Sequence, residues 1–566
     1  MQERLIEHWL DSVNERGYQS AFLQMLIGEG YGVIHSTRHG PIEFGKDVIA
    51  TAEDGTHCAF QLKGDPGSRL TLSKFRSMQE QITELVEVPI KYPGLAGNEP
   101  HRSFLVTNGE IEEEVQVQVG LLNEGYARRG LGSLSLIGRG LLLKWSIAHA
   151  TDFWPQGFSI QEKLIRLYNE DGNAPPRFDL ISAGLDEILR LSGSPDQLPA
   201  TEFDRRAISA GLFAGFTLRN YTQARNHVAI AGVQAALFAH IASAESRHER
   251  YGSKRVALVL AAARNSFLDA IRGLADELAD RMADRIDGQS GEGADPNKLF
   301  LEEGGMLANH FLWRARALRT MSLLAIGEIA RKRDGTEWSQ SHGRIVDTLV
   351  RRRPTHTLDV WGEAAIPQVL AWVWSRPVGS APGVEVQLVR LICRSNLSRE
   401  DGYIPDPYHL AEEVIRNRIG STMPIGRGKV TEATQGRSSY MALGLFQCIV
   451  RRNLKQTAKS LWPDLTKLEH KSMMPDGPWA FALWRTDNGV NEDRQIGPRG
   501  EWSVIQNEAA ETATPCVPPS LQKDPVMLLA FITFFPHRTL SEVLRHLHHE
   551  ICGMSFLPPP DPPQAT

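Results

Sequence analysis

The chain has 566 residues, 42% hydrophobic and 23% charged, with a formal net charge of −5. These values are those of ordinary globular proteins and exclude both wholesale disorder and a polycationic nucleic-acid coat. The length corresponds to about three to four domains, and five cysteines, none at CxxC spacing, support neither a zinc ribbon nor a disulfide framework and suit a reducing cytoplasm. No apolar run reaches about 18 residues, and the opening MQERLIEHWLDS is charged where a signal peptide needs an apolar core. The expectation is a soluble cytoplasmic protein with no membrane contact.

Leu5, Ile6, Trp9, Leu10 and Val13 at helical spacing predict a first helix, and Phe22, Leu23, Leu26 and Ile27 a second, from about Gln19 to Glu29. Gly30 ends it. Three strands are expected next, at Tyr31–Thr37, Phe44–Ala52 and His57–Lys63, the last two joined by the turn Glu53-Asp54-Gly55. A helix from Ser73 to Val86, a strand from Ser103 to Gly109, a helix from Glu110 to Tyr126 and a strand from Leu134 to Trp145 complete an α/β module with a mixed sheet.

From about residue 160 long Ala/Leu/Arg-rich stretches dominate, among them 207–218, 224–245, 254–284 and 307–331, and predict a large all-α region. Residues 288–297 read as a linker, 351–354, 376–382 and 426–437 as breaks, and 557–566 as a disordered proline-rich tail. The expected domains are 1–155, 156–340 and 341–556, followed by that tail. No fixed repeat period is evident.

The chemistry gathers between residues 39 and 63. Alternation along a strand puts Glu43, Gly45 and Asp47 on one face, and Gln61 and Lys63 on one face of the next strand. A hairpin turning at 53–55 brings these faces together. Carboxylate and amide oxygens suit Mg²⁺, which takes one or two carboxylates and keeps several waters. A neighbouring lysine can orient a metal-bound water and offset charge on a phosphorane-like transition state. The competing readings are a plain Asp47–Lys63 ion pair, a solvated Glu43 and a turn role for His39. Gly40-x-x-x-x-Gly45-Lys46 imitates the start of a P-loop, but Asp47 follows and Val48-Ile49-Ala50 continues as strand, so no nucleotide site is expected there.

Gly30-Tyr31, Gly45-Lys46-Asp47 and Gln61-Leu62-Lys63, in this order and spacing, with Phe104–Gly109 and Leu134–Gly138 behind them, resemble the PD-(D/E)xK nuclease superfamily, closest to its Mrr-like restriction endonucleases. The resemblance covers about residues 15–150. It implies a restriction-endonuclease-like fold and a Mg²⁺-dependent endonuclease, with Mn²⁺ as a substitute ion. Asp47 would be the main metal ligand, Gln61 a weaker ligand or water-positioner, the carbonyl of Leu62 a helper and Lys63 the catalytic amine. The helix acid of the family falls at Gln19, an amide, and Glu43 is the acid placed to make good the loss. The alternatives are a catalytically weak or inactive nuclease fold that serves nucleic-acid binding or assembly, and a ribonuclease.

Residues 1–150 hold 14 basic and 19 acidic residues, a net of −5, so the rest of the chain is neutral overall. Phosphate contacts need Lys and Arg, so access to DNA or RNA is expected to depend on a homo-oligomer, a partner protein or a basic groove from the helical part. The arrangement resembles antiviral defence effectors of bacteria that join a restriction-like nuclease to a recognition region. Weaker candidates are His546, His548, His549 and Glu550, read as a solvated helix face, and the basic clusters 351–353 and 427–437. Cys58 is read as a buried residue of the sheet.

Overall fold

The computed structural model describes residues 2–36, 45–92, 100–150, 162, 165–193, 196–286, 306–336, 362–376, 382–398, 438–473, 475–483, 491–494, 501–510 and 516–552. The chain divides into two compact units, Met1–Ala270 and Ile271–Thr566. The domain boundaries expected at 155 and 340, the linker 288–297, the basic clusters and the tail lie outside the described residues.

The first unit opens with α1 (Gln2–Leu10), which buries Ile6, Trp9 and Leu10. Asn14 then caps α2 (Glu15–Gly28) by accepting the Gly17 N–H at 2.8 Å. The cap starts the helix four residues ahead of Gln19, where the apolar spacing alone placed it. Tyr18, Ala21, Phe22, Leu23, Met25, Leu26 and Ile27 are all buried, so α2 is covered on nearly every side. Gly30, at φ +89°, turns the chain out, and the Tyr31 N–H closes on the Leu26 carbonyl at 2.9 Å.

A five-stranded sheet follows in the order 32–36, 48–51, 57–63, 102–107 and 134–137. Strands β1 (Gly32–Ser36), β2 (Val48–Thr51) and β3 (His57–Lys63) form an antiparallel meander. The hairpin turns where Glu53-Asp54-Gly55 predicts, with Gly55 at φ +83° and Thr51 opposite His57. Strands β5 (Arg102–Thr107) and β7 (Leu134–Ile137) run parallel to β3. Parallel neighbours need crossovers, which α3 (Leu72–Ser77), α4 (Gln79–Glu87) and α5 (Glu113–Arg128) provide. These helices pack on the face that carries Ile49, Ala59 and Leu105. The opposite face, through Phe60, meets Phe22 of α2 at 5.7 Å between ring centres.

Three expectations change here. The helix expected over 73–86 is two helices that break at Met78. Two-residue strands β4 (Arg69–Leu70) and β6 (Glu110–Ile111) pair with each other, so the following helix starts at Glu113. The strand expected over 134–145 stops at Ile137, and Gly138 introduces the helix α6 (Arg139–His149). The run Leu141-Leu142-Leu143-Lys144-Trp145 fits a buried strand and a buried helix equally well by periodicity.

The other face of α2 packs on the helix Ala200–Gln223, where a Cβ on Gly215 would stand 3.0 Å from the Ala21 backbone and one on Gly211 2.5 Å from Gln24 Oε1. The α/β module and the helices after it therefore share a core. Helices Phe178–Leu189 and His227–His248 continue the unit, and the helix Lys254–Ile286 runs through its boundary at Ala270. Among the described residues His227–His248 is the one helix long and apolar enough to cross a membrane, and 89% of its apolar window is buried inside the fold. The second unit is mainly helical, from Met306–Asp334 to Ser541–Cys552. It also holds a three-stranded sheet of Ser438–Ser439, Glu469–Met473 and Asn491–Arg494, which corrects the all-α expectation. The central strand, EHKSM, is too polar and short to show an apolar period of two.

Candidate functional site

The residues in question meet at the C-terminal end of β3. The Asp47 N–H donates to the Phe60 carbonyl at 2.8 Å, and the Asp47 carboxylate accepts the Leu62 N–H at 2.7 Å. The aspartate side chain thus continues the ladder past the start of β2 and rests on the Gln61-Leu62-Lys63 backbone. Leu62 meets Asp47 through its N–H. Gln61 is buried; its Nε2 donates to Gln81 Oε1 of α4 at 3.1 Å, and its own Oε1 is buried without a hydrogen-bond partner. Lys63 is half-buried, and its carbonyl accepts the Tyr18 hydroxyl at 2.9 Å. Gln19, half-buried, follows Tyr18 on α2. Glu43 and His39 lie outside the described residues.

Gly45 has φ +73°, and a Cβ there would stand 2.9 Å from the Gln81 carbonyl. The close approach that needs this glycine is thus made by α4. Next to it, Lys46 is buried rather than a surface cation. It is 3% exposed, and its Nζ donates to the Glu84 carbonyl near the end of α4 at 3.1 Å. Desolvation pulls its ammonium down to about 8, against the opposing charge of Glu84. Of the other basic residues nearby, Arg69 and Arg76 are exposed, while Lys74 is held by Asp65 at 2.7 Å.

Two residues stand out that the sequence reading passed over. Tyr18 is fully buried and ties α2 to the end of β3. Burial first, then the charge of Glu15 and more weakly those of Asp47 and Asp65, hold its phenol well above the usual range against the hydrogen bond to the Lys63 carbonyl. Asp65, two residues beyond Lys63, accepts the Thr107 hydroxyl at 3.1 Å as well as the Lys74 ammonium, and its N–H donates to Asn108 Oδ1 at 2.8 Å. Asn108 in turn donates to the Leu10 and Val13 carbonyls at 2.7 and 2.8 Å. This network locks the ends of β3 and β5 to the α1–α2 turn. Its signal in the sequence was an acid two residues after the lysine and Thr107-Asn108-Gly109 at a strand end.

The donor set is one carboxylate, Asp47, and one orphaned amide oxygen, Gln61 Oε1. Such a pair fits a hard cation that keeps water in most positions. Among the described residues no three His, Cys, Asp or Glu side chains gather as a metal site. The C-terminal histidines do not form one. His548 is fully buried beside Trp374, and burial, then Arg452 and Arg451, push its imidazole down to about 3, which corrects the solvated-face reading. His549 turns to Arg451, His546 to the Gln522 carbonyl and Glu550 to Arg333. Cys58 is buried in β3 with its thiol pushed up to about 11 by desolvation. No family model, curated protein or solved structure matches this chain.

Lys46 yields a pH test. A lysine whose pKa falls on folding binds fewer protons folded than unfolded between about 8 and its usual 10.5, so its penalty on stability is full below about 8 and fades as pH rises to 10.5. Lys46→Met is expected to gain on the order of 1 kcal/mol at pH 7 and to flatten the pH dependence of stability across that window. Urea melts from pH 7 to 10.5 check this; a parallel offset of the two curves would contradict it.

Proposed function

We propose that the α/β module is a metal-dependent endonuclease of the PD-(D/E)xK type that hydrolyses phosphodiester bonds of DNA. The observation that carries the reading is the Asp47 carboxylate seated on the Leu62 N–H, which joins the two halves of the motif, Gly45-Lys46-Asp47 and Gln61-Leu62-Lys63, at one end of one strand. The sheet order supports it too, with an antiparallel meander leading into parallel strands between helical layers.

Asp47 and Gln61 would hold Mg²⁺ or Mn²⁺, with Glu43 as a further acid. A bound cation of this kind supplies a water of lowered pKa and Lewis acidity toward a phosphoryl oxygen. The protein's own part is positional. Leu62 fixes the rotamer of Asp47, Gln81 fixes the amide of Gln61, and Tyr18 anchors the backbone of Lys63, whose ammonium orients the attacking water and offsets charge as the phosphodiester is cleaved. The helical remainder would sense, scaffold or oligomerise, as in a bacterial anti-phage effector.

One feature favours a second reading, a nuclease fold kept for nucleic-acid binding or assembly. Amides stand at 19 and 61, and among the described residues no three His, Cys, Asp or Glu side chains gather as a metal site. The deciding assay is nicking of supercoiled plasmid and cleavage of single-stranded RNA by the full chain with Mg²⁺, Mn²⁺ or EDTA. The proposal expects metal-dependent DNA nicking that Lys63→Ala abolishes. Metal-independent cutting, or cutting that survives Lys63→Ala, would remove the assigned site. Cleavage of RNA alone would make it a ribonuclease, and binding without cleavage would favour the second reading.

A further inference from the structure

We infer that the outer face of α5 pairs with the same face of a second copy of this chain, the two helices antiparallel about a two-fold axis. On its inner side α5 buries Val115, Val119 and Tyr126 in the core that holds Ile49, Ala59 and Leu105 of the sheet. Its outer side carries Val117 at 65% and Leu121 at 58%, the two most exposed large hydrophobic side chains among the described residues. At 3.6 residues per turn these two share one face, about 100° wide, with Glu113, Gly120, Glu124 and Arg128, all exposed. The stripe belongs to a helix already seated on its own sheet, and it leaves apolar area in water that a partner would cover.

Gly120 gives an independent reason. It lies in the interior of a 16-residue helix, where only proline is less favourable than glycine. A Cβ there would meet no atom within 4 Å, so among the described residues no packing requires the glycine. A second helix that comes close enough to seat a side chain in the gap does require it.

Charge selects the occupant and its direction. The stripe is acidic at its start, with Glu113 and with Glu114 at its margin, and basic at its end, with Arg128. A two-fold axis between residues 120 and 121 sets each Leu121 over the partner's Gly120 and each Glu113 opposite the partner's Arg128. Val117 then lies along the stem of the partner's Glu124. The Glu124 carboxylate keeps to Arg128 of its own helix, 3.9 Å away. Parallel helices would set acid on acid at one end and base on base at the other, whereas antiparallel ones also oppose their dipoles. A phosphate backbone would meet three acids and one base here. One pair of helices covers less than a standard interface of about 1,600 Å², so the dimer is weak and forms as concentration rises.

The test does not depend on nuclease activity. Sedimentation velocity of the full chain over rising concentration is expected to show a monomer–dimer equilibrium. Val117→Ser/Leu121→Ser should weaken it about tenfold or more, since two apolar anchors are removed. Gly120→Leu should weaken it too while raising the melting temperature, because the variant gains helix propensity and loses the gap. Arg128→Glu and Glu113→Arg should each weaken the dimer, and the two together should restore it, since the swap re-forms both charge pairs. All these positions are exposed, and circular dichroism checks that the variants keep the fold. A parent that stays monomeric, a dimer unchanged by Val117→Ser/Leu121→Ser or by Gly120→Leu, or a charge swap no tighter than its two single variants would each overturn the proposal.

Discussion

Asp47→Asn is expected to fold like the parent and to lose metal-dependent nicking by about 10²–10⁴-fold, the usual range when a charge-stabilising group is neutralised. The reasoning separates two jobs of one side chain. An asparagine oxygen can still accept the Leu62 N–H, which the carboxylate holds at 2.7 Å, so the local ladder survives. The negative charge that would draw a cation does not. Asp47→Ala removes both, and leaves the Leu62 N–H without its acceptor, a cost of about 1–3 kcal/mol if no water replaces it. Thermal melts of both variants, read beside nicking rates, give the split. Undiminished nicking by the asparagine variant would place the chemistry elsewhere, and equal stability of the two would show that the Asp47–Leu62 bond holds nothing together.

That split also shows what a sequence can and cannot carry. The hairpin was legible because Glu53-Asp54-Gly55 admits few turns, and β3 is bounded as its alternation predicts, His57 to Lys63. Once turn and strand are set, Asp47 has little choice but to face the Gln61–Lys63 segment. The partners across the sheet were not legible. Nothing in the string Gly45-Lys46-Asp47 says that α4 comes close enough to require the glycine and to bury the lysine, since both contacts depend on residues 81 and 84 arriving through a crossover. Tyr18 fell just ahead of the helix expected from Gln19, and its role follows from where the hydroxyl ends, on the Lys63 carbonyl. The strand over-extended to 145 failed for a different reason, an apolar run whose period fits two structures, decided by Gly138 and by the packing of α6 against α1 and α2. In the second unit the small sheet escaped notice because pairing there is made by short polar segments.

Phe60→Ala should be among the most damaging single changes in the first unit, about 3–5 kcal/mol, because a fully buried aromatic leaves a cavity that its surroundings fill only in part. Phe60 is 0% exposed at the middle of the central strand. Its ring stacks on Phe104 at 4.7 Å and receives the edges of Phe22 and Tyr31, each at 5.7 Å, so one side chain joins α2, the link from α2 to β1 and two parallel strands. Phe60→Leu, which fills most of the volume, should cost about 1–2 kcal/mol. The same residue accepts the Asp47 N–H through its carbonyl and immediately precedes Gln61. Loosening it is therefore expected to reach the site. Under conditions where Phe60→Leu stays folded, nicking should fall more than its small loss of stability explains, and the optimum Mg²⁺ concentration should rise as Asp47 and Gln61 lose their fixed spacing. Urea melts with a metal titration of the nicking rate check both parts. A Phe60→Leu protein less stable but unchanged in its metal requirement would show that core packing behind β3 does not set the geometry of the site.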